Sequence, residues 1–241
     1  MDLNKILDQI KEEYKYKVEL HNHTTPVSGC SRYRPRDMVR KYAELGYHAF
    51  ALTNHFQIGL LKRSEEDAVA FFMNDFLEAY DEGEKLGVKV ILGAEAHFAD
   101  MPNDYLIYGI DESDLHDLYR YIGKGSKEYY DNCKNEKNII IQAHPCRKGQ
   151  IFTPDRIDGV EAYNLHPGHN SAVAFAARHP GETKKIHTSG SDLHHPDLEG
   201  LTALQTKKIP QNSFELAEII KSGDFVISIN DDIILQHNYN V

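Results

Sequence analysis

What most limits the fold of this chain is its alternation. Short apolar runs of strand type recur along it, and stretches with helical spacing lie between them. Residues 2–13 set Leu3, Ile6, Leu7 and Ile10 at helical intervals. Lys17-Val18-Glu19-Leu20-His21 alternates as a short strand, and Pro35 opens a helix that runs to Leu45 and stops at Gly46. Strands are predicted at 49–53, 88–92, 105–110, 138–143, 159–163, 185–188 and 225–229. Helices are predicted over 64–86, 112–131, 170–178 (Ala-rich) and 213–222. Strand and helix taken in turn predict a parallel sheet, closed or doubly wound. Roughly seven or eight β/α units in 241 residues come near the ~250 residues of a closed barrel. No Gly-rich loop follows the first strand, which weighs against a nucleotide-binding variant.

Composition narrows the function. Apolar residues at 41% and charged residues at 27% fit one ordinary globular domain over 1–241. Thirty-seven acids against 27 bases leave a net charge of −10, a field that repels duplex nucleic acid. No apolar run reaches the ~18 residues of a bilayer span, and the first residues carry no signal-peptide core, so no membrane partner is expected. Cys30, Cys133 and Cys146 lie far apart without a CxxC pair. Neither a disulfide framework nor a thiolate zinc site is therefore expected, and a reducing cytoplasm fits.

The 14 histidines matter through their positions. His21 and His23 end the first strand, His55 follows the second, Glu95 the third, His144 the run Ile139–Ala143, and Asp192 and His194 a late strand. In a parallel barrel such ends converge on one face. His-x-His on extended backbone puts both imidazoles on one side, and Asp192-x-His194 shares that geometry. Imidazole with carboxylate suits Zn, Mn or Fe. Five histidines and two acids exceed the needs of one tetrahedral ion, so two or three divalent ions are expected. His48, His116, His179, His187 and His237 fall outside the pattern and read as solvent or packing residues; His97, His166, His169 and His195 lie near it, unplaced.

Glu19-Leu20-His21-Asn22-His23-Thr24, Leu52-Thr53-Asn54-His55, Gly93-Ala94-Glu95, Ala143-His144-Pro145, Gly159-Val160-Glu161-Ala162-Tyr163-Asn164 and Gly190-Ser191-Asp192-Leu193-His194 together resemble the PHP (polymerase and histidinol phosphatase) superfamily of metal-dependent phosphoesterases. The resemblance implies a distorted (β/α)7 barrel with a trinuclear site at the strand C-termini. It implies one ion on His21, His23, Glu95 and Asp192, a second shared by Glu95 and His144, and a third on His55 and His194. Three positions depart from the family pattern. Ser28 stands before Gly29 where an Asp or His is common, and Ser is the poorer ligand. Asn54 replaces an Asp and can orient His55 by hydrogen bonding. Asp104 aligns where many members carry a ligand His, and a carboxylate still suits Mn or Fe.

The implied reaction is hydrolysis of a phosphate ester by a hydroxide bridging two ions. Arg147 would clamp the phosphate, Arg32, Arg34 and Arg36 would share its face, and Asp192 or a metal-held water would protonate the leaving group. The expected substrate is a small phosphorylated metabolite or nucleotide, attacked by a histidinol-phosphatase-like phosphomonoesterase. The rival readings are a nucleotide phosphodiesterase or exonuclease of the same family, a non-catalytic metal-binding module, and a metal amidohydrolase. The last is disfavoured by the Gly-x-Glu setting of Glu95.

Overall fold

The computed structural model describes residues 3–169, 185–196 and 199–234. Its strands form two six-stranded sheets. The first contains β1 (Tyr16–Glu19), β2 (Ala49–Leu52), β4 (Lys89–Leu92), β10 (Thr202–Thr206), β11 (Phe225–Ile229) and β12 (Asp232–Ile234), in the order β12-β11-β10-β1-β2-β4. The second contains β3 (His55–Gln57), β5 (Ala94–His97), β6 (Asp104–Tyr108), β7 (Ile139–Gln142), β8 (Gly159–Asn164) and β9 (Ile186–Gly190), in the order β3-β5-β6-β7-β8-β9.

The fold is mixed α/β rather than wholly parallel. Parallel pairing holds β1-β2-β4, β3-β5 and β7-β8-β9. β6 lies antiparallel between β5 and β7, and β10, β11 and β12 add to β1 antiparallel. The chain returns from β5 to β6 through a loop without a helix, and an antiparallel pair needs no crossover. Strand pairing divides the chain into two sheets where a single closed sheet was expected. The segment after β1 reaches across the division: Asn22 forms a parallel bridge with Leu193, just past β9.

β2 passes into β3 at Thr53-Asn54, and β4 passes into β5 at Gly93, so both parallel pairs bend together from one sheet to the next. The bend needs a bare backbone. A Cβ on Gly93 would lie 2.9 Å from Thr53 Cγ2 and 3.2 Å from the Tyr108 ring. Helices cover the sheets. Pro35 opens α2 (Pro35–Glu44) in its first turn, where its missing N–H costs nothing. Ser64 caps α3 (Glu65–Leu86), and Gly87 ends it at φ +73°. The helix expected over 112–131 is instead α4 (Glu112–Ile122) and α5 (Ser126–Cys133). At the break, Ser126 N–H donates to Asp100 Oδ1 at 3.0 Å. Two further helices are α1 (Leu3–Glu13) and α6 (Ser213–Ser222).

Met38 and Tyr42 on the buried face of α2 pack against Phe50 of β2; Phe56, Phe72, Leu115, Leu118 and Ile140 pack between α3, α4 and the second sheet. Val18, Leu20, Ile91, Leu106, Ile139 and Ile141 fill the interior beside them. These close-packed layers hold the strand ends in fixed relation. The expected Ala-rich helix over 170–178, with His179 and His237, lies outside the described residues. Among the described residues, no helix is long and apolar enough to cross a membrane.

Candidate metal centre

All eight expected ligands, His21, His23, His55, Glu95, Asp104, His144, Asp192 and His194, meet at one rim. Seven follow or close parallel strands. Asp104 instead opens β6, and it reaches the same rim because β6 runs against β5 and β7. The site therefore lies at the C-terminal ends of the parallel strands and the N-terminal end of the antiparallel one.

Glu95 stands at the centre, 1% exposed. Its Oε1 lies 3.3 Å from His21 Nε2 and 3.0 Å from His144 Nε2, and its Oε2 lies 2.7 Å from His55 Nδ1 and 3.4 Å from His23 Nε2. Asp192 Oδ1 is 3.5, 3.3 and 3.2 Å from His21 Nε2, His23 Nε2 and His194 Nδ1. Asp104 Oδ2 is 3.7 Å from His144 Nε2.

A layer behind these groups fixes their aim. Glu161, fully buried, brings Oε1 to 2.9 Å from His21 Nδ1, while its Oε2 accepts from His144 N–H at 2.9 Å and Asn164 Nδ2 at 2.8 Å. Glu19 Oε1 accepts from Leu20 N–H, His21 N–H and Ser191 N–H at 3.0, 3.2 and 3.0 Å, tying β1 to the Asp192 segment. His144 and Asp192 take positive φ, 28° and 52°, which side chains other than glycine's rarely adopt. Such strain persists where the surroundings over-determine it, as at functional sites. Gly190 allows the approach: a Cβ there would lie 2.2 Å from Glu161 Oε1 and 2.5 Å from His21 Cβ.

The departures at Ser28 and Asn54 belong to this layer too. Asn54 Oδ1 accepts from Thr24 N–H (2.6 Å) and Ser28 Oγ (2.9 Å), and Ser28 Oγ accepts from His55 N–H at 2.9 Å. Asn54 thus braces His55 through Ser28 and the backbone.

The electrostatics are those of an ion-collecting pocket. Burial alone would raise Glu95 and Asp192; the adjoining imidazoles, His21 first, outweigh it and hold both carboxyls well below their ordinary range. Burial opposes charge on His55 and His194, but Glu95 pulls His55 up to about 10 and Asp192 pulls His194 up to about 9. Burial, then the neighbouring His55, drives His23 well below its ordinary value, so it stays neutral with a lone pair to offer. His21 Nε2 and His23 Nε2 are wholly buried and make no aligned hydrogen bond. Orphaned buried nitrogens are costly unless something else binds them.

The donor atoms group as His21–His23–Asp192, Glu95–Asp104–His144, His144–His169–Asp192 and His23–His55–His194, each set within 4.8 Å. Nitrogen and oxygen donors at these spacings fit divalent transition ions.

Arg147 lines the cavity with its side chain half exposed and its Nη1 3.1 Å from Asp104 Oδ2. Of the other candidate arginines, Arg36 pairs instead with Glu78 at 3.2 Å. The four unplaced histidines all line the cavity. His97 Nδ1 lies 2.6 Å from Asp104 Oδ1, and His169 Nδ1 lies 2.8 Å from Asp192 Oδ2. His116 pairs with Glu65 at 2.9 Å, and His48 Nδ1 accepts from Lys17 N–H at 3.2 Å, both outside the site.

Sequence reasoning gave no role to Glu161, inside the Gly159–Asn164 motif, or to Cys30, which lines the same cavity as His55 and His194. Burial pushes the Cys30 thiol up, but those two rings bring it down to about 6.

A family model described as PHP domain matches residues 19–232. The chain belongs to the PHP domain family. This PHP chain is 32% identical over 240 residues to a DNA polymerase III PolC-type of Oceanobacillus iheyensis, a match covering 96% of the chain and 13% of the polymerase. A Clostridium perfringens DNA polymerase III PolC-type is 28% identical over 152 residues, covering 62% of the chain and 9% of that protein. The chain thus spans a small part of the curated relatives it matches. A crystallised two-domain Bacteroides vulgatus protein, described as containing a predicted PHP-like metal-dependent phosphoesterase, superposes with a TM-score of 0.62 at 18% identity, covering 92% of this chain and 66% of that one. At that identity the likeness shows the fold. The clustered histidines and carboxylates suit the divalent metals of a family with metal-dependent phosphoesterases.

Proposed function

We propose that this PHP domain hydrolyses phosphate esters with two or three Zn, Mn or Fe ions, and that its substrate is the phosphomonoester of a small metabolite. The observation that carries the reading is the gathering of seven further ligand-type side chains around Glu95, with two fully buried imidazole nitrogens that make no aligned hydrogen bond. His21, His23, Glu95 and Asp192 would hold one ion, Glu95, Asp104 and His144 a second, and His55 and His194 a third. When bound, such ions supply a nucleophile from water near neutral pH and positive charge against the phosphoryl oxygens.

The protein's own groups do the rest. Arg147 spends one N–H on Asp104 and keeps the remaining guanidinium donors for a phosphate oxygen. We take Asp192 as a ligand rather than the leaving-group acid, because the ring of imidazoles holds it ionised. His169 is the better proton donor. It leans on Asp192 at 2.8 Å, and its partners His144 and Asp192 already serve the first two ions. The cavity of about 390 Å³ suits a small ligand, and the net charge of −10 disfavours a duplex. The same reading takes the two sheets as a distorted (β/α)7 barrel. β2 with β3 and β4 with β5 each count as one bent stave, and the Asn22–Leu193 bridge supports closure.

A second reading, hydrolysis of nucleotide phosphodiesters, is favoured by the similarity to the PolC-type polymerases. The test is a panel of phosphomonoesters, nucleotide diesters and amides assayed with Mn, Fe or Zn added to metal-stripped protein. Turnover of monoesters is expected. Turnover of diesters alone selects the second reading, and metal uptake without any turnover leaves a non-catalytic binding module.

A further inference from the structure

We propose that Ser28 fixes the tautomer of His23: its hydroxyl oxygen accepts the imidazole proton at Nδ1 and so keeps the Nε2 lone pair turned toward the ion shared with His21, Glu95 and Asp192. Ser28 is then a positioning residue that acts through His23 and need not touch an ion itself. The inference deepens the metal reading above and rests on it.

A chain of hydrogen bonds with forced directions carries it. Thr24 N–H, which can only donate, lies 2.6 Å from Asn54 Oδ1, so the oxygen of that amide is held at this end. The amide nitrogen at the other end donates to Thr24 Oγ1 at 3.0 Å and to Asp75 Oδ2 at 3.3 Å. Asp75, fully buried on α3, also accepts from Thr24 Oγ1 at 2.8 Å, which anchors the chain in the helix. The orientation of Asn54 is therefore set from both sides.

Ser28 Oγ lies 2.9 Å from Asn54 Oδ1 and spends its single proton there. One lone pair accepts from His55 N–H at 2.9 Å. Toward His23 Nδ1, 3.4 Å away, the hydroxyl can offer only its second lone pair. An imidazole that ligates through one nitrogen carries its proton on the other, and here that other nitrogen is Nδ1. His23 Nε2 stands 3.3 Å from Asp192 Oδ1 and 3.4 Å from Glu95 Oε2, wholly buried and without an aligned hydrogen bond, as a bare lone pair between two carboxylates would be.

Without that constraint the two carboxylates would draw the proton to Nε2, and that nitrogen could no longer ligate. His21 and His194 have stronger partners for the same purpose, Glu161 Oε1 and the Asp192 carbonyl, each 2.9 Å from Nδ1. His23 depends on a neutral hydroxyl, whose direction Asn54 imposes.

Nitrogen NMR of histidine-labelled, metal-stripped protein tests this, with the His23 signal assigned by its loss in His23→Gln. The wild-type chain is expected to carry the His23 proton on Nδ1. Ser28→Ala should move it to Nε2, wholly or in part, and Ser28→Thr, which keeps a hydroxyl, should hold it on Nδ1. Ser31→Ala is the control: it removes a hydroxyl of the same loop, one that bonds the His23 carbonyl at 2.6 Å, and should leave the proton where it is. Zinc titration should show one ion bound roughly 10–100-fold more weakly in Ser28→Ala and unchanged in Ser28→Thr. A wild-type proton on Nε2, a proton that stays on Nδ1 in Ser28→Ala, or an unchanged zinc affinity in that variant overturns the Ser28 assignment and leaves the metal reading intact. A wild-type chain that binds no zinc overturns the metal reading, while the nitrogen spectra still decide which nitrogen Ser28 protects. The wild-type spectrum alone can refute the proposal, so a Ser28→Ala chain that fails to fold does not shield it.

Discussion

The two sides of the pocket are built differently. On the inner side Glu95, His144 and Asp192 are at most 2% exposed, and Glu161, Glu19 and Asn164 back them with further hydrogen bonds. On the outer side His55 and Cys30 face the opening, their chain braced mainly by backbone contacts around Ser28, Ser31 and Arg32. The inner side is rich in carboxylate and preorganised by a second layer of acids. The outer side is imidazole and sulfur on a loop. The contrast separates a buried carboxylate centre braced by a second layer of acids from an edge held mainly by one loop.

That contrast breaks first at Glu95, which touches ligands of every set. Glu95→Gln should lower turnover by more than about a hundredfold and strip metal from both sides, read as kcat and ions per chain. Loss confined to one side would dissolve the idea of a shared centre. Glu161→Gln leaves the ligands in place but frees the His21 ring and the strained His144 backbone. Metal affinity or activity should fall roughly 10–100-fold, with Glu161→Asp recovering part of it; an unchanged metal affinity would reduce Glu161 to packing. Arg147→Ala should raise KM by about tenfold, the worth of a charge-assisted bond of about 1.5 kcal/mol, with kcat less affected. A drop in kcat alone would move Arg147 from binding into the chemical step.

The smallest effect concerns protons. His55 and His194 are raised to about 10 and about 9 in the metal-free chain, from an ordinary 6.5. Their contribution to stability is full below the ordinary value and is lost as pH climbs through 9 to 10. Near neutral pH both carry a proton that an incoming ion must displace. Calorimetry of metal uptake in buffers of different ionisation heat should therefore report proton release. Uptake without release would mean that these imidazoles are not ligands.

Much of the site was legible because it is local. A His or acid placed where an apolar run ends is visible in sequence, and His21, His23, His55, Glu95, His144, Asp192 and His194 were all found that way. What stayed hidden depends on tertiary pairing. β10 (Thr202–Thr206) mixes polar and apolar residues without alternation, and β12 has only three residues, so neither stands out; both join the sheet antiparallel. Nothing in the sequence near Asp104 says that β6 runs backwards, which is what brings its first residue to the rim. Glu161 sits inside β8 and works through His21, 140 positions away. His169 and Cys30 belong to loops whose course no periodicity reveals.

The account turns on ions gathering at Glu95. Anomalous diffraction from crystals of the protein loaded with zinc or manganese is the most direct test. It should show at least one peak within about 2.0–2.3 Å of a Glu95 oxygen, flanked by His21, His23 and Asp192. Crystals that bind the metal only elsewhere, with no peak among those four side chains, would contradict it.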